Sequence, residues 1–172
     1  MLRGHDKLRK ARLVAIISIF IIVVDYITKR LIVSRVMLYE HIDVLPFLRI
    51  VHVENKGAAF GLFAQFGNNI FILISICAII CIVIYLIKLP IGIELYSMSL
   101  ILGGAVGNLI DRFKTGKVID FIDVFVKNWH WPAFNVADSA LTVGIIFFII
   151  ASIRHGKIHE QSAREEKEGR SL

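Results

Sequence analysis

The 172-residue sequence predicts a membrane α-helical fold with four transmembrane helices, and three observations carry that prediction. Hydrophobic residues make up 56% of the chain, above the roughly 45–50% of soluble domains, and the mean hydropathy is +0.71. Four apolar runs, about 13–33, 69–88, 93–110 and 137–154, are each long enough to cross a hydrocarbon core. Finally, the formal net charge of +6 resides in the two tails and in loops beside apolar runs, a placement that suits anionic lipid headgroups better than nucleic acid. A chain of this size holds one integral-membrane domain, 1–154, followed by a charged tail, 155–172, whose composition predicts disorder.

The first run follows a basic stretch, Met1 to Arg12, and opens like a cleavable signal peptide. No small-residue cleavage site follows, and Asp25 to Lys29 leads directly into Leu31, Ile32 and Val33, so it reads as an uncleaved span. Asp25 and Lys29 are four residues apart, which puts them on one helix face as an ion pair near the end of the span. Ile70 to Ile87 is an uncharged run of 18 residues, the clearest span in the chain, and Lys88, Leu89 and Pro90 end it. On it, Cys77 and Cys81 lie one turn apart and read as small core hydrophobes rather than a disulfide or metal site. The third run contains Gly103 and Gly107, a spacing that lets another helix backbone approach closely. The fourth begins at Ala137 and ends before Arg154, His155 and Lys157.

Four spans return both termini to one side. Five Lys/Arg among the first twelve residues and five among the last nineteen place that side in the cytoplasm by the positive-inside rule. The 1–2 and 3–4 connections then face outward. In the first, Phe47 to Val53 is rich in β-branched residues and reads as a strand. NKGAAFG at 55–61 sets two glycines around small residues, which suggests a tight backbone path against another surface or a ligand. Phe60, Phe63 and Phe66 recur every three residues, as on an amphipathic helix lying in the interface. In the second connection Lys117 to Val126 reads as a strand, and Trp129, His130, Trp131 and Phe134 form an aromatic cluster suited to headgroup depth.

With that topology three spans carry polar groups at one depth: Asp25 and Lys29 on the first, Asn108, Asp111 and Arg112 on the third, Asn135 and Asp138 on the fourth. Asn55, Asp120 and Asp123 join them from the connections on the same face. Carboxylates are costly beside hydrocarbon, so their grouping predicts a site. The six histidines show no HExxH or comparable pairing, which disfavours a zinc protease. Ser139 would be a nucleophile if a lysine served as its base, but Lys29 has Asp25 for a partner. Two close carboxyls share a proton, so that one acts as general base and the other as general acid toward a bound water. Asp111 reads as an ion pair with Arg112. Asp120 and Asp123 fall on opposite faces of a strand, so only one easily faces Asp138, and the residues alone leave open which.

Five motifs in order, DYITK at 25–29, NKGAAFG at 55–61, GNLIDR at 107–112, VIDFID at 118–123 and FNVADS at 134–139, together resemble lipoprotein signal peptidase, the type II signal peptidase of bacteria. The resemblance spans about residues 12–154 with no motif broken. It implies four transmembrane helices with a small extracytoplasmic β-cradle and an interfacial amphipathic helix, set in the bacterial cytoplasmic (inner) membrane. It also implies an aspartic endopeptidase that removes the signal peptide from diacylglyceryl-modified prolipoproteins, cutting before the lipidated cysteine. By position in the motifs the catalytic pair falls on Asp120 and Asp138, with Asp123 and Asp111 supporting. Asn55, Gly57, Asn108, Arg112 and Asn135 match the family's residues around the substrate backbone, and Asp25 and Lys29 match its pair on the first helix.

The partners so implied are prolipoproteins and membrane lipid, with no nucleic acid, no metal or organic cofactor, and a monomeric enzyme. Two readings come from other classes. An ion- or proton-coupled transporter would show related halves and polar groups near the bilayer midplane, whereas here no repeat is visible and the polar groups share one face. A non-enzymatic membrane assembly factor would hold the same acids as structural ion pairs.

Overall fold

The computed structural model describes residues 2–57 and 67–169, with side chains over 5–57 and 67–154. In chain order the elements are α1 (Leu2–Arg35), β1 (His41–Leu45), β2 (Leu48–Asn55), α2 (Gly67–Lys88), α3 (Ile93–Thr115), β3 (Val118–Val126), β4 (Trp129–His130) and α4 (Val136–Gly169). Among the described residues, four stretches are long and apolar enough to cross a membrane: His5–Arg35, Gly67–Lys88, Ile93–Thr115 and Val136–Arg154. These are the four spans read from the sequence, lengthened by polar flanks that also fold as helix. Thus α3 continues past Ile110 through Asp111, Arg112 and Lys114. It stops where Gly116 turns left-handed at φ 74° and its N–H bonds the Arg112 carbonyl at 3.1 Å. The charged tail, expected to be disordered, continues α4 as helix to Gly169. Its Glu, Lys, Arg, Ala and Gln residues are strong helix formers, a local preference that charge density alone does not reveal. The interfacial helix expected over Phe60, Phe63 and Phe66 lies outside the described residues.

The centre of the bundle is α3, which packs against α1, α2 and α4, while α1 also meets α4. Missing side chains allow this. A methyl at Gly103 would meet the Ser18 carbonyl oxygen of α1 at 2.9 Å, and one at Gly107 would lie 3.0 Å from Asp25 of the same helix. One at Gly104 would overlap the Ala137 carbonyl of α4. At the opposite end from the polar residues, Leu86, Leu89, Leu95 and Met98 form a buried cluster around the α2–α3 turn. There Lys10 donates to the Ile87 carbonyl at 2.8 Å, placing a cation on the C-terminal end of α2. Cys77 and Cys81 are exposed on α2 rather than in the core. In a helix that is apolar all round, spacing cannot tell the face toward the bundle from the face toward lipid.

The connections build a four-stranded antiparallel sheet in the order β1-β2-β3-β4. β2 and β3 are the two strands expected from their β-branched runs. Arg49 pairs with Asp123 and Val53 with Asp120, with a register shift between Ile50 and Val53. The sheet is fixed to the bundle on both sides. His52, buried in β2, donates from Nδ1 to the Val36 carbonyl just past α1 at 2.8 Å. The segment entering α4 is tied to β3 through Phe134, whose backbone exchanges bonds of 2.8–3.0 Å with Phe121 and Ile122. That second tie brings the first turn of α4 up to Asp120.

Candidate active site

The N-terminus of α4 is closed by a reciprocal cap. Asn135 accepts the Asp138 N–H on Oδ1 at 2.9 Å, and Asp138 accepts the Asn135 N–H on Oδ2 at 3.2 Å. Asp25 of α1 takes a further free donor of the same turn, the Ala137 N–H, at 2.9 Å. These bonds orient Asp138 before any ligand is present. They also leave the Asn135 amide nitrogen pointing at β3, where it donates to Asp120 Oδ1 at 2.7 Å. One side chain therefore touches both aspartates, the backbone of Asp138 with its oxygen and the carboxyl of Asp120 with its nitrogen. Asn55 from β2 donates to the other Asp120 oxygen at 2.9 Å, and Asn108 from α3 donates to Asp138 Oδ1 at 2.7 Å.

The two carboxyls differ in surroundings. Asp120 is 2% exposed, whereas Asp138 is only partly buried. Burial pushes the Asp120 carboxyl up, the nearby charge of Asp138 adds to it, and the Asn55 and Asn135 amides pull against both, leaving it at about 6. Beneath them lies the Lys29 ammonium. Lys29 is 3% exposed and bonds Asp25 at 2.8 Å, Asp111 at 2.8 Å and the Asn108 oxygen at 3.0 Å. The expected Asp25–Lys29 pair is present. The expected Asp111–Arg112 pair is not: Asp111 turns inward to Lys29, since residues adjacent on a helix point in different directions while α1 lies directly opposite. Ser139 donates its hydroxyl to the Asn135 carbonyl at 2.9 Å, so neither it nor Lys29 is poised for the serine–lysine chemistry weighed from the sequence.

Asp123 points to the opposite face of β3. There Arg49 holds it at 2.5 Å and His130 at 3.1 Å, beside a concavity of about 530 Å³ that Trp131 and Tyr39 help to line. Burial would raise its carboxyl, but those two partners outweigh burial and hold it below the usual range. The strand geometry thus resolves the choice that the residues left open: Asp120 is the one that faces Asp138. Asn135, expected beside the substrate backbone, is fully buried at 0% exposure and acts as the bridge described above. Gly57 is in the left-handed region at φ 96°, and its N–H donates to Asn55 Oδ1 at 2.8 Å. Arg112 lays its guanidinium over the Phe71 ring, 4.7 Å from the centroid. Sequence reasoning passed over Arg49 and Phe71, whose partners lie far away in the chain, and placed His130 in an aromatic cluster without pairing it with Asp123, seven residues before it; the aromatic residue inside an apolar span gave no local signal.

Fold and site together define an integral-membrane protein with a carboxylate-centred site at one end of its helical bundle. Residues 17–154 match the family model described as signal peptidase (SPase) II. The chain is 45% identical over 139 residues to the lipoprotein signal peptidase of Thermodesulfovibrio yellowstonii, covering 80% of this chain and 93% of that one. It is 41% identical over 159 residues to the lipoprotein signal peptidase of Syntrophotalea carbinolica, covering 90% and 99%. A solved structure described as a bacterial membrane enzyme, determined by the in meso method at 2.3 Å resolution, matches with a TM-score of 0.76 at 36% identity, over 82% of this chain and 87% of that one. The chain belongs to the signal peptidase II family and is a multi-pass membrane peptidase. The transporter and assembly-factor readings are not supported.

Proposed function

We propose that this protein is an aspartic endopeptidase that cleaves diacylglyceryl-modified prolipoproteins immediately before the lipidated cysteine, with Asp120 and Asp138 as its catalytic pair. The observation that carries the reading is Asn135 held between them, its side-chain amide donating to the Asp120 carboxyl and its backbone N–H to the Asp138 carboxyl. The pair holds one proton. A water bound between the carboxyls gives a proton to the ionised one as its oxygen attacks the scissile carbonyl carbon, while the protonated one delivers its proton to the carbonyl oxygen. The gem-diol then collapses, the C–N bond breaks and a proton passes to the leaving amine. Lys29 bonds both Asp25 and Asp111 and so ties α1 to α3 directly beneath the pair.

The diacylglyceryl chains lie in lipid against the bundle, which holds the scissile bond at the outer end of the spans. Both termini are cytoplasmic by the charge of the tails, and the membrane is the bacterial cytoplasmic one. The test is incubation of the purified protein in detergent with a diacylglyceryl-modified prolipoprotein and with its unmodified precursor, followed by mass spectrometry of the products. The expected result is a product beginning at the lipidated cysteine, from the modified substrate only. Cleavage at another bond, or of neither substrate by folded protein, refutes the proposal.

A further inference from the structure

Five elements, α1, β2, α3, β3 and α4, are joined at the carboxylates by side-chain hydrogen bonds or ion pairs, and α2 reaches the neighbourhood through Asn68 and the Phe71 ring. Phe71 lies in the first turns of α2 and has two neighbours. The Arg112 guanidinium carbon stands 4.7 Å from its centroid. Its edge also fills the space that a Cβ on Gly57 would occupy, with Phe71 Cζ at 2.8 Å from that position. Asn68, three residues earlier on the same helix face, donates to the Arg112 carbonyl at 3.1 Å. The start of α2 therefore grips Arg112 at both its backbone and its side chain.

The chemistry of this grip matters. Arg112 Nη1 is buried and has no hydrogen-bond partner among the described residues. A carboxylate beside it would use up its donors, while an aromatic face attracts the cation and leaves every N–H available. The Cδ2–Cζ edge of the ring backs the turn at Gly57, whose N–H sets the Asn55 amide that donates to Asp120. We infer that Phe71 is a positioning residue: its ring holds the Arg112 guanidinium ready for a substrate backbone carbonyl and seats the Gly57 turn that orients Asn55 on Asp120. This rests on the peptidase reading above and adds a residue of α2 to it.

The test is a cycle of Phe71→Leu, Phe71→Tyr, Arg112→Lys and the Phe71→Leu/Arg112→Lys double variant. Each is assayed for kcat/KM on the lipidated prolipoprotein and for its melting temperature. Leucine keeps apolar bulk without the π face, so kcat/KM should fall about tenfold, the scale of a desolvated cation–π contact. Tyrosine keeps the face and should stay within about twofold of wild type. Lysine cannot stack as a planar guanidinium does, so Phe71→Leu should cost little in the Arg112→Lys background. Wild-type kcat/KM in Phe71→Leu, or the same loss in both backgrounds, overturns the inference. If Phe71→Leu does not fold, Phe71→Met takes its place with the same expectations. Failure of the wild-type protein to cleave at all sinks the peptidase reading itself, an outcome distinct from a normally active Phe71→Leu.

Discussion

Replacing Asp120 by asparagine should stabilise the protein at neutral pH while removing its activity, and the size of the effect follows from the site. Asp120 is 2% exposed and titrates at about 6 instead of the ordinary 3.8. Each pH unit of that separation is worth ~1.4 kcal/mol, so keeping this carboxylate ionised costs the fold about 3 kcal/mol. The sign is that of a raised carboxyl: the stability is fully present below the unfolded value and is lost as pH rises through about 6. Asparagine does not titrate. It has one acceptor oxygen where Asp120 offers two to the Asn55 and Asn135 amides, and the lost bond costs about 1 kcal/mol at every pH. Asp120→Asn should accordingly be less stable than wild type near pH 4 by about 1 kcal/mol and more stable near pH 8 by about 2 kcal/mol. Thermal unfolding in detergent between pH 4 and 8 measures this. For a chain of this length the wild-type melting temperature should fall relative to the variant by about 6–12 °C across the range. Parallel pH profiles for the two proteins would refute the reasoning, because they would mean that Asp120 is not held above its ordinary value.

Other perturbations test the frame around the pair. Lys29→Met leaves Asp25 and Asp111 buried together without their cation and should cost about 3–5 kcal/mol, seen as a large drop in melting temperature and in yield from membranes. Gly57→Ala forces a side chain into the left-handed region and onto Phe71, and should reduce cleavage at least about tenfold while global unfolding shifts far less than in Lys29→Met. The monoprotonated pair is lost as pH rises through about 6, so kcat/KM of the free enzyme should have an alkaline limb there. Asn55→Ala removes a donor to the ionised form of Asp120 and should move that limb upward; a downward shift would contradict the assignment.

Much of this organisation was legible in the sequence because membranes simplify the code. The spans announced themselves by hydropathy, and their number, with the tail charges, placed Asp25, Asn108 and Asp138 at one depth before any contact was known. The strands β2 and β3 were visible in β-branched runs, whereas β1, short and fully exposed, had no buried face to pattern its residues. The proposed catalytic pair came from motif resemblance, and the odd spacing of Asp120 and Asp123 on one strand told that only one of them faces Asp138. What stayed hidden were partners chosen by tertiary approach. Asp111 passes over its neighbour Arg112 for Lys29, 82 positions away by residue number, and Asp123 finds Arg49 across the sheet. Nothing local in either segment encodes those choices. The outward face of Cys77 and Cys81 was hidden for a different reason: bundle and bilayer are both apolar, so α2 has no polar face to mark its orientation.

The central claim is that Asp120 and Asp138 together activate water. Its most direct test is cleavage of a diacylglyceryl-modified prolipoprotein by purified wild type, Asp120→Asn, Asp138→Asn and Asp123→Asn, each shown to be folded. The account predicts that the first two variants lose turnover by at least about 10²–10⁴-fold. Asp123→Asn, altered on the far face of β3, should retain cleavage. A folded Asp120→Asn or Asp138→Asn protein that cleaves at the wild-type rate would contradict it.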